Sequence, residues 1–162
     1  MDSASSPTKC LGIVVPSDEF NVVYLLSHIY RHLLGLGIGL RQLMDYYFAL
    51  RAVSEGSKVS EGFKVSEVSG TLKYLGIYDF AGAVMYVLKE VFGLEREYMI
   101  CEPEEWRGKA LLESVMESAN FGRGQKKMPT WLMKMKQWSD LVVMYPSETL
   151  SDPVWRIYKN LK

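Results

Sequence analysis

Two histidines one helical turn apart, His28 and His32, precede an arginine and an aspartate one turn apart, Arg41 and Asp45, within the run HIYRHLLGLGIGLRQLMDYYFAL. Imidazoles move protons or ligate metals, a guanidinium grips carboxylate or phosphate at two points, and a carboxylate accepts from either. Three readings follow. Asp45, accepting from a histidine ring and from Arg41, would lock two helices in register as a buried polar network does. His28 and His32 at i, i+4 suit two metal ligands, but the glutamate of HExxH is missing and no third ligand is fixed by the sequence, so no metal is assigned. Arg41 would otherwise meet a ligand or a phosphate. Arg before Asp at this spacing is the poorer orientation against the helix dipole, which favours a role beyond helix stabilisation.

The elements that must position these groups are helical. Pro16-Ser17 followed by Asp18 and Glu19 is a helix start, a hydroxyl cap with acids at the positive helix end, and the first helix is predicted over 18–34. Leu40, Leu43, Met44, Tyr47 and Leu50 repeat with the period of a second helix over 40–53. Gly35, Gly37 and Gly39 between them suit an αα-hairpin. If it folds about Gly37, His28 is level with Tyr46 and Asp45, and His32 with Gln42 and Arg41, so the four polar groups meet. The same glycines join two helices rather than a strand to a helix, so they are not a dinucleotide loop.

Further helices are predicted over 67–75, over 80–92 with Asp79 as cap and Gly93 as stop, from Pro103 to about Asn120, over 130–145, and from Ser151 to Leu161. Only Lys9 to Val15 and Tyr98 to Cys101 are candidate strands, too short to make a sheet alone. The expected fold is all-α, an irregular bundle of six or seven helices built around the N-terminal αα-hairpin. Residues 1–15 form an N-terminal extension and 16–162 a single helical domain. Within it SEGSKV is followed by SEGFKV, and the stretch 54–70 is expected to be a mobile duplicated loop.

Composition narrows the function classes. At 162 residues and 48% hydrophobic content the chain can bury one sizeable core. Its 19 basic and 19 acidic residues cancel, so whole-molecule charge argues for neither a nucleic acid nor a membrane surface. Cys10 and Cys101 lie outside any CxxC spacing and form no disulfide framework, which suits a reducing cytoplasm. No apolar run approaches a membrane span, and MDSASSPTKC is not a signal peptide, so a soluble cytoplasmic protein is expected.

The stretches EFNVVYLLSHIYRHLLGLGIGLRQLMDYYFAL, YLGIYDFAGAVMYVLKEVFGLEREYMI, ANFG and MYPSETLSDPVWRIYKNL resemble the C-terminal part of the uncharacterised nucleotidyltransferase family, in its Bacteroidetes-type members. The resemblance covers nearly everything after Val15 except the duplicated loop, and its most specific element is His28, His32, Gly39, Leu40, Arg41 and Asp45. Full-length members resemble polymerase-β-like nucleotidyltransferases, in which a small mixed sheet carries the chemistry and a helical region follows.

That chemistry needs acidic side chains on a strand to hold two metal ions and a Gly-Ser turn for the triphosphate. The six aspartates include no Asp-x-Asp, and the single Gly-Ser, Gly56-Ser57, precedes no acidic strand. Glu102 and Glu104 straddle Pro103 at a helix start, where capping explains them. The resemblance therefore implies the helical half of a nucleotidyltransferase-like protein without its catalytic half, inactive alone. It would be an accessory nucleotide-, acceptor- or partner-binding domain, needing magnesium and a nucleoside triphosphate only when joined to a catalytic partner domain. A helical half without its sheet should expose an apolar patch or cover it as a homodimer. The other class is a free-standing protein–protein interaction module with no small-molecule role.

Arg123, Lys126, Lys127, Lys134 and Lys136 near Trp131 make a local basic patch, the candidates for phosphate or nucleic-acid contact. A solvated helix face beside a lysine-rich loop has the same composition, so a nucleic-acid partner is not the primary expectation. The nine methionines and four tryptophans fall mostly at helical spacing and read as core.

Overall fold

The computed structural model describes residues 8–10, 13–35, 37–57 and 63–119. The chain enters through two short strands, β1 (Thr8–Cys10) and β2 (Ile13–Val15), paired antiparallel with Lys9 opposite Val14. The candidate strand at the N-terminus is thus one arm and part of the other of a small ribbon. The second candidate is no strand: Arg96–Tyr98 forms a 3-10 turn, and Met99 continues extended without a ladder partner among the described residues.

Ser17 then switches the backbone to helix. Its Oγ accepts the Phe20 N–H at 3.3 Å and its carbonyl accepts the Asn21 N–H at 3.0 Å, opening α1 (Asp18–Gly35). At the far end the His32 carbonyl accepts the Gly37 N–H at 2.9 Å. Gly37 has φ 82°, a left-handed conformation that spares glycine the Cβ clash other residues meet. Gln42 reaches back with its Oε1 to the Gly39 N–H at 2.6 Å, one half of a capping box, and starts α2 (Leu40–Ser57).

The duplicated segment is the first departure from expectation. Instead of a loop over 54–70, α2 runs on through Ser57 and α3 spans Val65–Tyr74, so most of that stretch is helix. Val68 and Leu72, four apart and just after the second copy, are fully buried and seat α3 on the core, while the Glu19 carboxylate accepts the Lys64 N–H at 3.3 Å. Polar composition suggested a loop, but two apolar side chains one turn apart are enough to anchor a helix face.

The centre of the molecule is α4 (Tyr78–Phe92). Eight of its side chains or backbone positions from Phe80 to Leu88 are buried, the signature of a helix apolar nearly all round. It touches α2, α3 and α5 (Glu105–Ala119), and the Tyr30 ring of α1 packs on Phe80 with centroids 4.9 Å apart. Gly93 ends α4 as expected, its N–H bonded to Lys89 O at 3.0 Å and the Leu94 N–H to Leu88 O at 3.1 Å. Ile77, not Asp79, stands at the N-cap; Asp79 lies inside the first turn, where its charge suits the helix dipole.

The fold is helical, with five α-helices among the described residues. The helices expected over 130–145 and 151–161 lie outside those residues.

Candidate functional site

His28 and His32 are brought together. Their Nε2 atoms stand 3.1 Å apart and their rings meet edge to face with centroids at 4.5 Å. His28 is exposed and His32 half-buried. The line continues toward the start of the helix in a way the sequence reading missed. Tyr24 stacks on His28 at 6.3 Å with an interplanar angle of 18°, and Phe20 stacks on Tyr24 at 5.9 Å and 11°. Phe20, Tyr24, His28 and His32, each four residues apart, form one outward row of rings along α1.

Phe20 is 57% and Tyr24 58% exposed, so the row faces solvent rather than the core. The signal was in the spacing. Val22, Leu26, Ile29, Tyr30 and Leu33 already supply the buried stripe of α1, leaving positions 20, 24 and 28 on the other side.

Arg41 and Asp45 do not join the histidines. Both are exposed, and among the described residues no hydrogen bond or ion pair links Asp45 to Arg41, His28 or His32. The buried stripe of α2 is Leu43, Tyr46 and Leu50. On a helix advancing about 100° per residue, 41 and 45 fall on the side roughly opposite that stripe. The expected stripe through Met44 and Tyr47 is rotated: Met44 is exposed and Tyr46 takes the inward position. Asp45 is therefore no hub, and the four-residue network expected at the hairpin does not form.

The acids near Pro103 have structural partners. Glu104 accepts the Arg107 N–H at 2.8 Å and caps α5, and Glu102 pairs with Arg96 at 2.6 Å. No three His, Cys, Asp or Glu side chains among the described residues group closely enough to hold a metal. Arg123, Lys126, Lys127, Lys134 and Lys136 lie outside the described residues.

Two groups, the half-buried Cys101 and the fully buried Tyr46, carry perturbed acidities without making a reactive site. Burial, with Glu102 adding to it, pushes the Cys101 thiol up from 9.0 to about 12. That keeps the sulfur protonated and poorly nucleophilic. Complete burial, with Cys101 as a lesser cause, raises the Tyr46 phenol well above its ordinary value, and its hydroxyl has no hydrogen-bond partner among the described residues.

Among the described residues the half-buried Arg51 is a heavily engaged cation. It donates to the Tyr47 hydroxyl at 2.9 Å and to Glu55 at 3.4 Å, lies 3.9 Å from Glu95, and stands over the Tyr98 ring at 5.1 Å. The Tyr47 hydrogen bond, more than either carboxylate, shifts its already high pKa further up. These contacts bind α2 to the turn after α4 and leave Arg51 committed to structure.

No helix among the described residues is long and apolar enough to cross a membrane. Comparison of the chain with protein-family models, curated proteins and solved structures found no match.

Proposed function

We propose that this chain is a binding module without catalysis of its own, the helical accessory part of a nucleotidyltransferase-type system that docks a separate catalytic domain. The outward ring row of α1 carries this reading. Isolated exposed apolar side chains are ordinary, but Phe20 and Tyr24 are stacked neighbours, each more than half exposed, and aromatic side chains with a polar tip are the usual anchors of protein interfaces. The nucleotidyltransferase assignment itself rests on the resemblance in sequence. The absence of an Asp-x-Asp pair from the chain agrees with a role that leaves metal and triphosphate chemistry to the partner. Arg41, exposed and outside every ion pair recorded among the described residues, would supply a phosphate contact once the partner is in place.

The experiment pairs an assay with a capture. Incubated alone with labelled nucleoside triphosphates and magnesium or manganese, the chain should transfer nothing. Co-expressed with a neighbouring reading frame that carries Gly-Ser and Asp-x-Asp, it should co-purify with that product, and Phe20→Ala/Tyr24→Ala should abolish co-purification while leaving the helical circular dichroism intact. Metal-dependent labelling by the chain alone, lost on mutating one of its own carboxylates, sinks the reading. So does co-purification indifferent to the ring row.

The same row supports a second reading, a free-standing module that pairs with itself. Sedimentation equilibrium distinguishes it: a homodimer converted to monomer by Phe20→Ala/Tyr24→Ala, with no catalytic frame nearby, favours self-association over the accessory role.

A further inference from the structure

His28 and His32 are the chain's only histidines, and α1 sets them one turn apart with Nε2 facing Nε2. We propose that they form a two-point chelate for a divalent transition ion of the zinc and nickel type. The bite is right for it. With Nε2 atoms 3.1 Å apart, an ion about 2.0–2.1 Å from each would see them at an angle of roughly 100°, between the octahedral and tetrahedral values.

The rings are also held in place. Tyr24 stacks on His28 at 6.3 Å, and Phe20 backs Tyr24, so the exposed imidazole is restrained on one face before any ion arrives. In the metal-free pair one Nε2 carries a proton donated to the other. On binding, that proton leaves Nε2 for Nδ1 of the same ring through solvent, and both neutral rings then offer an Nε2 lone pair.

Among the described residues the pair supplies two ligands, because no third His, Cys, Asp or Glu of that set lies close enough. The remaining positions are open to water or to a further donor. Such a site is open and exchangeable, unlike a closed structural zinc site. It is independent of the accessory reading above, since it needs no catalytic partner and rests on the pair itself.

The test uses the full chain and Zn2+ alone, read by NMR of the imidazole ring protons, which only these two residues contribute. Thiol binding elsewhere gives no imidazole signal. The expected result is that both rings shift together along one saturation curve. In His28→Ala the His32 ring should need about tenfold more zinc or more, and the reverse should hold in His32→Ala, because each ring raises the effective concentration of metal at the other. Circular dichroism confirms that the variants keep their helices. Rings that shift independently with unchanged affinity in the single variants overturn the chelate, as does a shift of one ring only, or no shift of either at millimolar zinc.

Discussion

The Cβ that Gly108 lacks would fall onto the ring of Tyr86. That near contact is how α5 lies so close along α4, with the Glu104 N–H also reaching Gly82 O at 2.9 Å. Gly108→Ala should therefore destabilise the fold although alanine is the better helix former. Overpacking of this kind costs typically about 1–3 kcal/mol, more than the ~1 kcal/mol that the propensity change would return. Urea denaturation checks it, together with Gly108→Ala/Tyr86→Ala, where removing the ring should make the alanine harmless or favourable. A stabilised Gly108→Ala single variant would show that the helices separate freely.

Asp45 and Arg41 both face solvent, and each substitution to alanine should change stability by less than about 0.5 kcal/mol. The double variant Asp45→Ala/Arg41→Ala should be additive, since the two side chains share no partner among the described residues. A buried, paired arrangement would instead give a loss of about 3–5 kcal/mol for Asp45→Ala and strong coupling. Chemical denaturation of the three variants decides between these.

Arg51 offers a contrast on the same helix. Its planar head meets the Tyr47 hydroxyl, the Tyr98 ring and the Glu95 carboxylate together. Arg51→Lys keeps the charge but loses the flat stacking surface and the fork of donors. The lysine variant should unfold at a denaturant midpoint closer to that of Arg51→Ala than to that of the parent chain. A lysine variant indistinguishable from the parent would reduce Arg51 to a surface charge.

Cys101 makes stability depend on pH in a set direction. Its folded-state value is raised to about 12 from 9.0, so between those limits the unfolded thiol loses its proton while the folded one keeps it. The native state then binds more protons, and this contribution is full below about pH 9 and lost as pH rises toward 12. Denaturation midpoints should fall over that window and fall less steeply in Cys101→Ala. In a Cys10→Ser background the remaining thiol should react with iodoacetamide at pH 8.5 far more slowly in the folded chain than in urea. Equal rates would place the sulfur in solvent.

The sequence by itself determined most of the local structure. Ser17 with its trailing acids opened α1, Gly93 closed α4, and the apolar density of residues 80–88 marked a helix buried on all sides. These are signals within one turn of the chain, set by hydrogen-bond geometry and by side chains too apolar to face water. Capping also explained Glu104, which accepts the Arg107 N–H, but not Glu102, whose partner is the Arg96 side chain.

What only the tertiary structure decided was rotation. Adjacent tyrosines at 46 and 47 allow α2 two apolar stripes, and packing of Leu43, Tyr46 and Leu50 inward turned Arg41 and Asp45 to solvent. A rotation of one residue moves a side chain by about 100°, enough to dissolve an expected polar cluster. The same choice on α1 left His28 and His32 in contact and lined them up with Phe20 and Tyr24, on the side away from the buried stripe. Hydrophobic periodicity tells which residues share a face; which of two competing faces goes inward depends on how α4 fills the space between its neighbours, and no single segment carries that information.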